Sequence, residues 1–156
     1  MTKMRFNHME LTLPKGTFTD DWRADLESFF AGILGWEIIS HQLGKLDTII
    51  LRPDDGQFIL IAQADKHLDA PGMDHLGLLL DTREEVDHLL DQCRRFAEKD
   101  DRMQIVDYTE KDLVTGNVTV HAFYVKYLLP LYFDIQVIEH AEGRGPARAW
   151  DYVTTS

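Results

Sequence analysis

Asn7-His8-Met9-Glu10-Leu11-Thr12-Leu13 and Asp74-His75-Leu76-Gly77-Leu78-Leu79-Leu80 are versions of one another. Each sets a polar residue before a histidine and follows it with a mostly apolar run of strand character. A repeat of this kind decides how the rest of the chain divides, because each copy opens one supersecondary unit. It also puts a metal-capable imidazole in the same place twice.

Outward from the first copy, residues 5–13 alternate as a strand, with Met9, Leu11 and Leu13 on one face and Phe6, His8, Glu10 and Thr12 on the other. Pro14-Lys15-Gly16 ends it. Thr19 or Asp20 caps a helix to about residue 33, in which Trp22, Leu26, Phe29, Phe30 and Ile33 recur at helical spacing. Gly35 stops that helix with a positive φ. Strands follow over 36–40, 47–52 and 57–62, the last two joined by the turn Pro53-Asp54-Asp55-Gly56.

Outward from the second copy, strand 74–80 leads to a helix over 83–99, opened by a capping box of Thr82 and Glu85 and buried along Val86, Leu89, Leu90, Cys93 and Phe96. Segments 103–109, 118–126 and 131–138 are rich in β-branched and aromatic residues, with Thr115-Gly116-Asn117 as the turn between the first two. The order βαβββ therefore occurs twice. Residues 1–64 form the first module, 65–73 a polar linker and 74–140 the second module. Residues 141–156 form an irregular tail, in which Trp150 and Tyr152 imply packing back on the rest. All of this is expected to make one structural domain.

Charge narrows the partners. There are 27 acidic against 16 basic residues, a net charge of −11, and no basic run, which argues against nucleic acid and anionic membrane surfaces. The acidity suits solubility or a cationic ligand. A single cysteine, Cys93, excludes an internal disulfide and fits a reducing compartment; its helical surroundings mark it as a structural thiol. With no apolar stretch of membrane-spanning length and no apolar signal region, a cytoplasmic protein is expected.

Paired βαβββ modules, a histidine in each opening strand, Phe29-Phe30 with Leu34-Gly35-Trp36 closing the first helix, and a late strand ending Ile138-Glu139-His140 resemble the vicinal oxygen chelate superfamily. That group includes glyoxalase I, fosfomycin-resistance proteins, extradiol dioxygenases and bleomycin-resistance proteins, and the resemblance covers residues 5–140. It implies an α+β fold in which two modules curl mixed sheets into a cleft with the helices outside. It also implies a homodimer.

Metal-dependent members take histidines from both opening strands and a Glu from the final strand. By this resemblance His8 and His75 are metal ligands. Gln136 stands where Glu is usual, with Asp134 two residues earlier on the same face, about 7 Å away at the ~3.4 Å rise of a strand. Two histidines and a carboxylate leave open positions on Fe(II) or a similar divalent ion (Mn, Ni or Zn), whereas a neutral Gln lowers the ligand charge. Which of the two serves stays open, as does whether the histidines are ligands or hydrogen-bonded strand residues. The fourth-strand ligand of glyoxalases would fall at Ile59 or Ile61, which cannot coordinate.

His121 shares its strand face with Phe123 and Val125 and reads either as a cleft-lining general base or as a hydrogen-bonded wall residue. Glu10 is a candidate base or a surface glutamate. Tyr132 and Phe123 are candidate substrate contacts, and Tyr127 a pocket or core residue. Two functions are expected from this pattern. One is a glyoxalase- or dioxygenase-like enzyme whose metal chelates neighbouring substrate oxygens as a Lewis acid. The alternative is a metal-free protein of the bleomycin-resistance kind that sequesters a small ligand, toward which the charge and the missing Glu lean.

Overall fold

The computed structural model describes residues 6–146. Strand β1 (His8–Pro14) leads to helix α1 (Asp20–Leu26), then β2 (Glu37–Leu43), β3 (Leu46–Asp54) and β4 (Gln57–Ala64). The second module runs β5 (His75–Leu79), α2 (Arg83–Ala97), β6 (Gln104–Asp107), β7 (Leu113–Thr115), β8 (Val118–Lys126) and β9 (Tyr132–His140). The architecture is α+β, with sheet orders β1-β4-β3-β2 and β5-β9-β8-β6, β7 pairing the start of β8. Trp150 and Tyr152 lie outside the described residues.

Both helices begin as their sequences dictate. Thr19 accepts a bond from the Trp22 amide, and Thr82 with Glu85 closes the expected capping box. The first helix does not stay α-helical to residue 33. It widens into a π-helical turn over Glu27–Ala31, which buries the adjacent Phe29 and Phe30 together. Gly32 permits this, since a Cβ there would sit 2.4 Å from the Ser28 carbonyl oxygen.

The segment read as one strand over 103–109 is also different. Asp107 turns its carboxylate back onto the Thr109 amide and hydroxyl, at 2.8 and 2.7 Å. That local bonding competes with the ladder: after the Tyr108 amide bonds the Ala122 carbonyl the chain turns, and regular pairing resumes at β7.

One face of each sheet packs under the helices. Leu11, Leu13, Ile59 and Ile61 come from the first sheet and Phe123, Val125, Phe133, Ile135 and Val137 from the second, all in one continuous core. Aromatic contacts cross between modules: Phe29 meets Phe96 and Tyr127 at 5.5 and 5.2 Å, and Phe133 meets Phe30 and Trp36 at 5.8 and 5.6 Å. Arg102 adds an ionic tie to Asp25 of α1 at 2.8 Å. The faces turned away from the helices carry the polar residues of interest.

Candidate functional site

The repeat survives in the strand register. In the first sheet the parallel pair β1–β4 sets His8 beside Phe58, Glu10 beside Leu60 and Thr12 beside Ala62. In the second, β5–β9 sets His75 beside Tyr132, Gly77 beside Asp134 and Leu79 beside Gln136. Each histidine thus stands next to an aromatic ring. One step on, the carboxylate changes strand, being Glu10 on β1 in one module and Asp134 on β9 in the other.

The two environments are unequal. His8 is exposed, lies flat on Phe58 at 4.8 Å, and bonds the Asn7 side chain; Glu10 is exposed beside it. In the second sheet, Nδ1 of His75 lies 2.7 Å from the Met73 carbonyl. A carbonyl only accepts, so the proton is on Nδ1, and in the neutral ring Nε2 keeps its lone pair. That nitrogen stands 3.8 Å from Oδ2 of Asp134, and the ring meets Tyr124 edge-on at 5.1 Å.

Asp134 is only 6% exposed, and its Oδ1 has no hydrogen-bond partner among the described residues. Burial raises its carboxyl above the ordinary range, against the opposing pull of His75 and the Tyr124 phenol. Burial likewise raises the Tyr124 phenol, helped by the Asp134 charge. Tyr108 leans edge-on against Tyr124, and the Tyr132 hydroxyl donates to Gln104 at 2.8 Å. Gln136 is half-buried one step further along, with its amide nitrogen 3.2 Å from where a Cβ on Gly77 would lie. Gly77 leaves the space in which that amide rests.

Several expectations need correction. His121 and Phe123 do not line this face. The β8–β9 register pairs His121 with Val137 and Phe123 with Ile135, on the side that packs against α2. Phe123 is fully buried in the core there, as is Tyr127. His121 is 5% exposed, with Nδ1 on Asp112 and Nε2 on Asp87, both at 2.9 Å. Arg83 joins that cluster, donating to Asp112 and Glu139. Ile59 and Ile61 also face the core; the open-face residues of β4 are Phe58, Leu60 and Ala62, which coordinate nothing either.

A divalent metal was tested against these donors. Among the described residues no group of three or more His, Cys, Asp or Glu side chains is gathered as a metal site requires. His75 and Asp134 stand together, but His8 belongs to the other sheet and has no contact with them among the hydrogen bonds and aromatic pairs described. The two-histidine, one-carboxylate set is therefore not gathered among the described residues of a single chain.

Among solved structures, the chain is similar to the fosfomycin resistance protein FosX from Listeria monocytogenes, with a TM-score of 0.57, 15% identity, and coverage of 92% of this chain and 97% of that one. A glyoxylase/bleomycin resistance protein/dioxygenase domain from Frankia sp. matches with a TM-score of 0.57 at 15% identity over 92% and 96% of the two chains. A glyoxalase/bleomycin resistance protein/dioxygenase from Nocardioides matches at 0.57 and 14% over 96% and 92%. The chain has the vicinal oxygen chelate fold. No family model matches the sequence, and no curated protein does. The vicinal oxygen chelate fold hosts several chemistries, so function rests on the residues of the site. Among the described residues no helix is long and apolar enough to cross a membrane.

Proposed function

We propose that this protein binds a small molecule on the open face of its second sheet, through a cationic nitrogen seated at Asp134, and sequesters it unchanged. One observation carries the reading: a carboxylate nearly shut off from water, with one oxygen unpartnered, is walled by Tyr124, Tyr132 and His75. A buried charge of this kind costs stability unless something pairs with it. An N–H cation supplies that pairing, and the aromatic edges and faces around it suit a flat body. The net charge of −11 favours the approach of a cation over any distance that salt leaves unscreened. Neighbours whose names include bleomycin resistance are consistent with this reading.

The test is calorimetric titration with benzamidine, a flat cation with N–H donors, against the parent and Asp134→Asn. Binding in the parent, weakened about tenfold or more in the variant, is expected for loss of a buried charge-assisted contact. Equal binding by the two proteins would remove Asp134 from the site.

A metal-dependent enzyme is the second reading, favoured by the lone pair of His75 facing Asp134 across 3.8 Å. Metal content by mass spectrometry decides between them. Near-stoichiometric Mn, Fe, Ni or Zn that disappears in His75→Ala would replace the sequestration reading with the enzyme.

The proposal includes a homodimer in the cytoplasm. Leu43, Leu46 and Leu79 are 54%, 54% and 67% exposed, and a second copy would cover such side chains. The buried lone Cys93, its thiol pushed up to about 12 by burial, suits a reducing compartment. Light scattering is expected to give twice the 18.0 kDa chain mass.

A further inference from the structure

Among the described residues, Lys126 shares the open face of the second sheet with Asp134. Lys126 ends β8, directly across from Gln104 on β6. It is half-buried, with its ammonium 5.4 Å from the centre of the Tyr132 ring. No ion pair among the described residues includes it, although acids outnumber bases 27 to 16. The neighbouring row of the same face holds Tyr124 and Asp134. Two residues of strand separate the rows, about 7 Å at ~3.4 Å per residue.

The face therefore presents two opposite charges that do not pair with each other. Asp134 has a free oxygen in a nearly dry setting; Lys126 leans over a ring that also flanks His75. A ring under a lysine fixes the ammonium without neutralising it. Its three N–H donors remain free for an acceptor. A single ammonium suits a monoanion, because phosphate recognition draws on bidentate arginines or several backbone amides.

We propose that Lys126 is the second anchor of this site and that the ligand is amphoteric, a flat molecule with a protonated nitrogen at one end and a carboxylate at the other. The nitrogen sits at Oδ1 of Asp134, which has no partner among the described residues. The carboxylate meets Lys126, and the flat body lies along Tyr132. This inference rests on the cation-binding reading of Asp134 and adds the chemistry of the ligand's other end.

Calorimetry with benzamidine, benzoate and para-amidinobenzoate separates the two claims. In the parent, para-amidinobenzoate is expected to bind about three- to tenfold more tightly than benzamidine, the range of a partly exposed ion pair. Lys126→Met removes that advantage, and Lys126→Glu reverses it so that benzamidine binds better. If the parent binds both amidines equally, the amphoteric ligand is overturned while the cation site stands. If neither amidine binds, the cation site falls and this inference falls with it. Should a Lys126 variant fail to fold, the comparison within the parent still decides.

Discussion

Burial alone would push the His121 imidazole toward its neutral form, yet Asp112 and Asp87 each hold one ring nitrogen, and the net shift is upward. Arg83, Glu139 and Asp107 complete the charged groups around it. A histidine whose folded pKa exceeds its unfolded value near 6.5 stabilises fully below that value, and the contribution is lost as pH rises through the folded pKa. Urea melts at about pH 6 and about pH 9 should therefore show the parent losing stability relative to His121→Gln as pH rises; parallel profiles would contradict the ion cluster. The same residue shows what alternation in a sequence conveys. Tyr132, Asp134 and Gln136 were legible as one face because their neighbours are uniformly apolar. His121 was misplaced because the Phe123 and Val125 beside it mark the core side, and a polar residue on the core side signals a buried network rather than a cleft. The unpartnered oxygen of Asp134 was not legible, since it depends on which strands flank β9.

Helical spacing located the first helix and its cap but gave no warning of the wide turn at its end. Phe29 and Phe30 are consecutive, and a regular α-helix would turn one of them toward the edge of the buried stripe. The π-helical turn brings both inside, and its closing bonds run from Gly32 and Leu34 back to Glu27 and Phe29. Gly32→Ala tests this at the level of the element. Helix propensity alone would make alanine stabilising by about 1 kcal/mol. A Cβ 2.4 Å from the Ser28 carbonyl oxygen instead predicts a loss of roughly 1–3 kcal/mol, since the backbone must shift to relieve the overlap. Denaturant melts distinguish the two signs. The short β7 escaped notice because the Asp107 side chain and a turn closed by the Lys111 amide on the Tyr108 carbonyl interrupt the edge.

Module order followed from the repeat, because each module's pattern is local. How the modules meet did not, because no short stretch of sequence contains both Phe29 and Phe96, or Phe30 and Phe133. Their shared core predicts that the halves fold as one unit. Phe133→Ala should cost about 3–5 kcal/mol, as expected for emptying a buried aromatic site. The loss should appear as a single transition with tryptophan fluorescence and far-ultraviolet dichroism coincident; two separated transitions would mean that the modules fold independently. Against that cooperative background Asp134 stands out for a different reason. A buried carboxylate whose Oδ1 has no hydrogen-bond partner among the described residues costs the fold stability. Of the residues on this face, it is the one whose replacement by a neutral side chain is expected to strengthen the unliganded fold, which a thermal melt of Asp134→Asn checks.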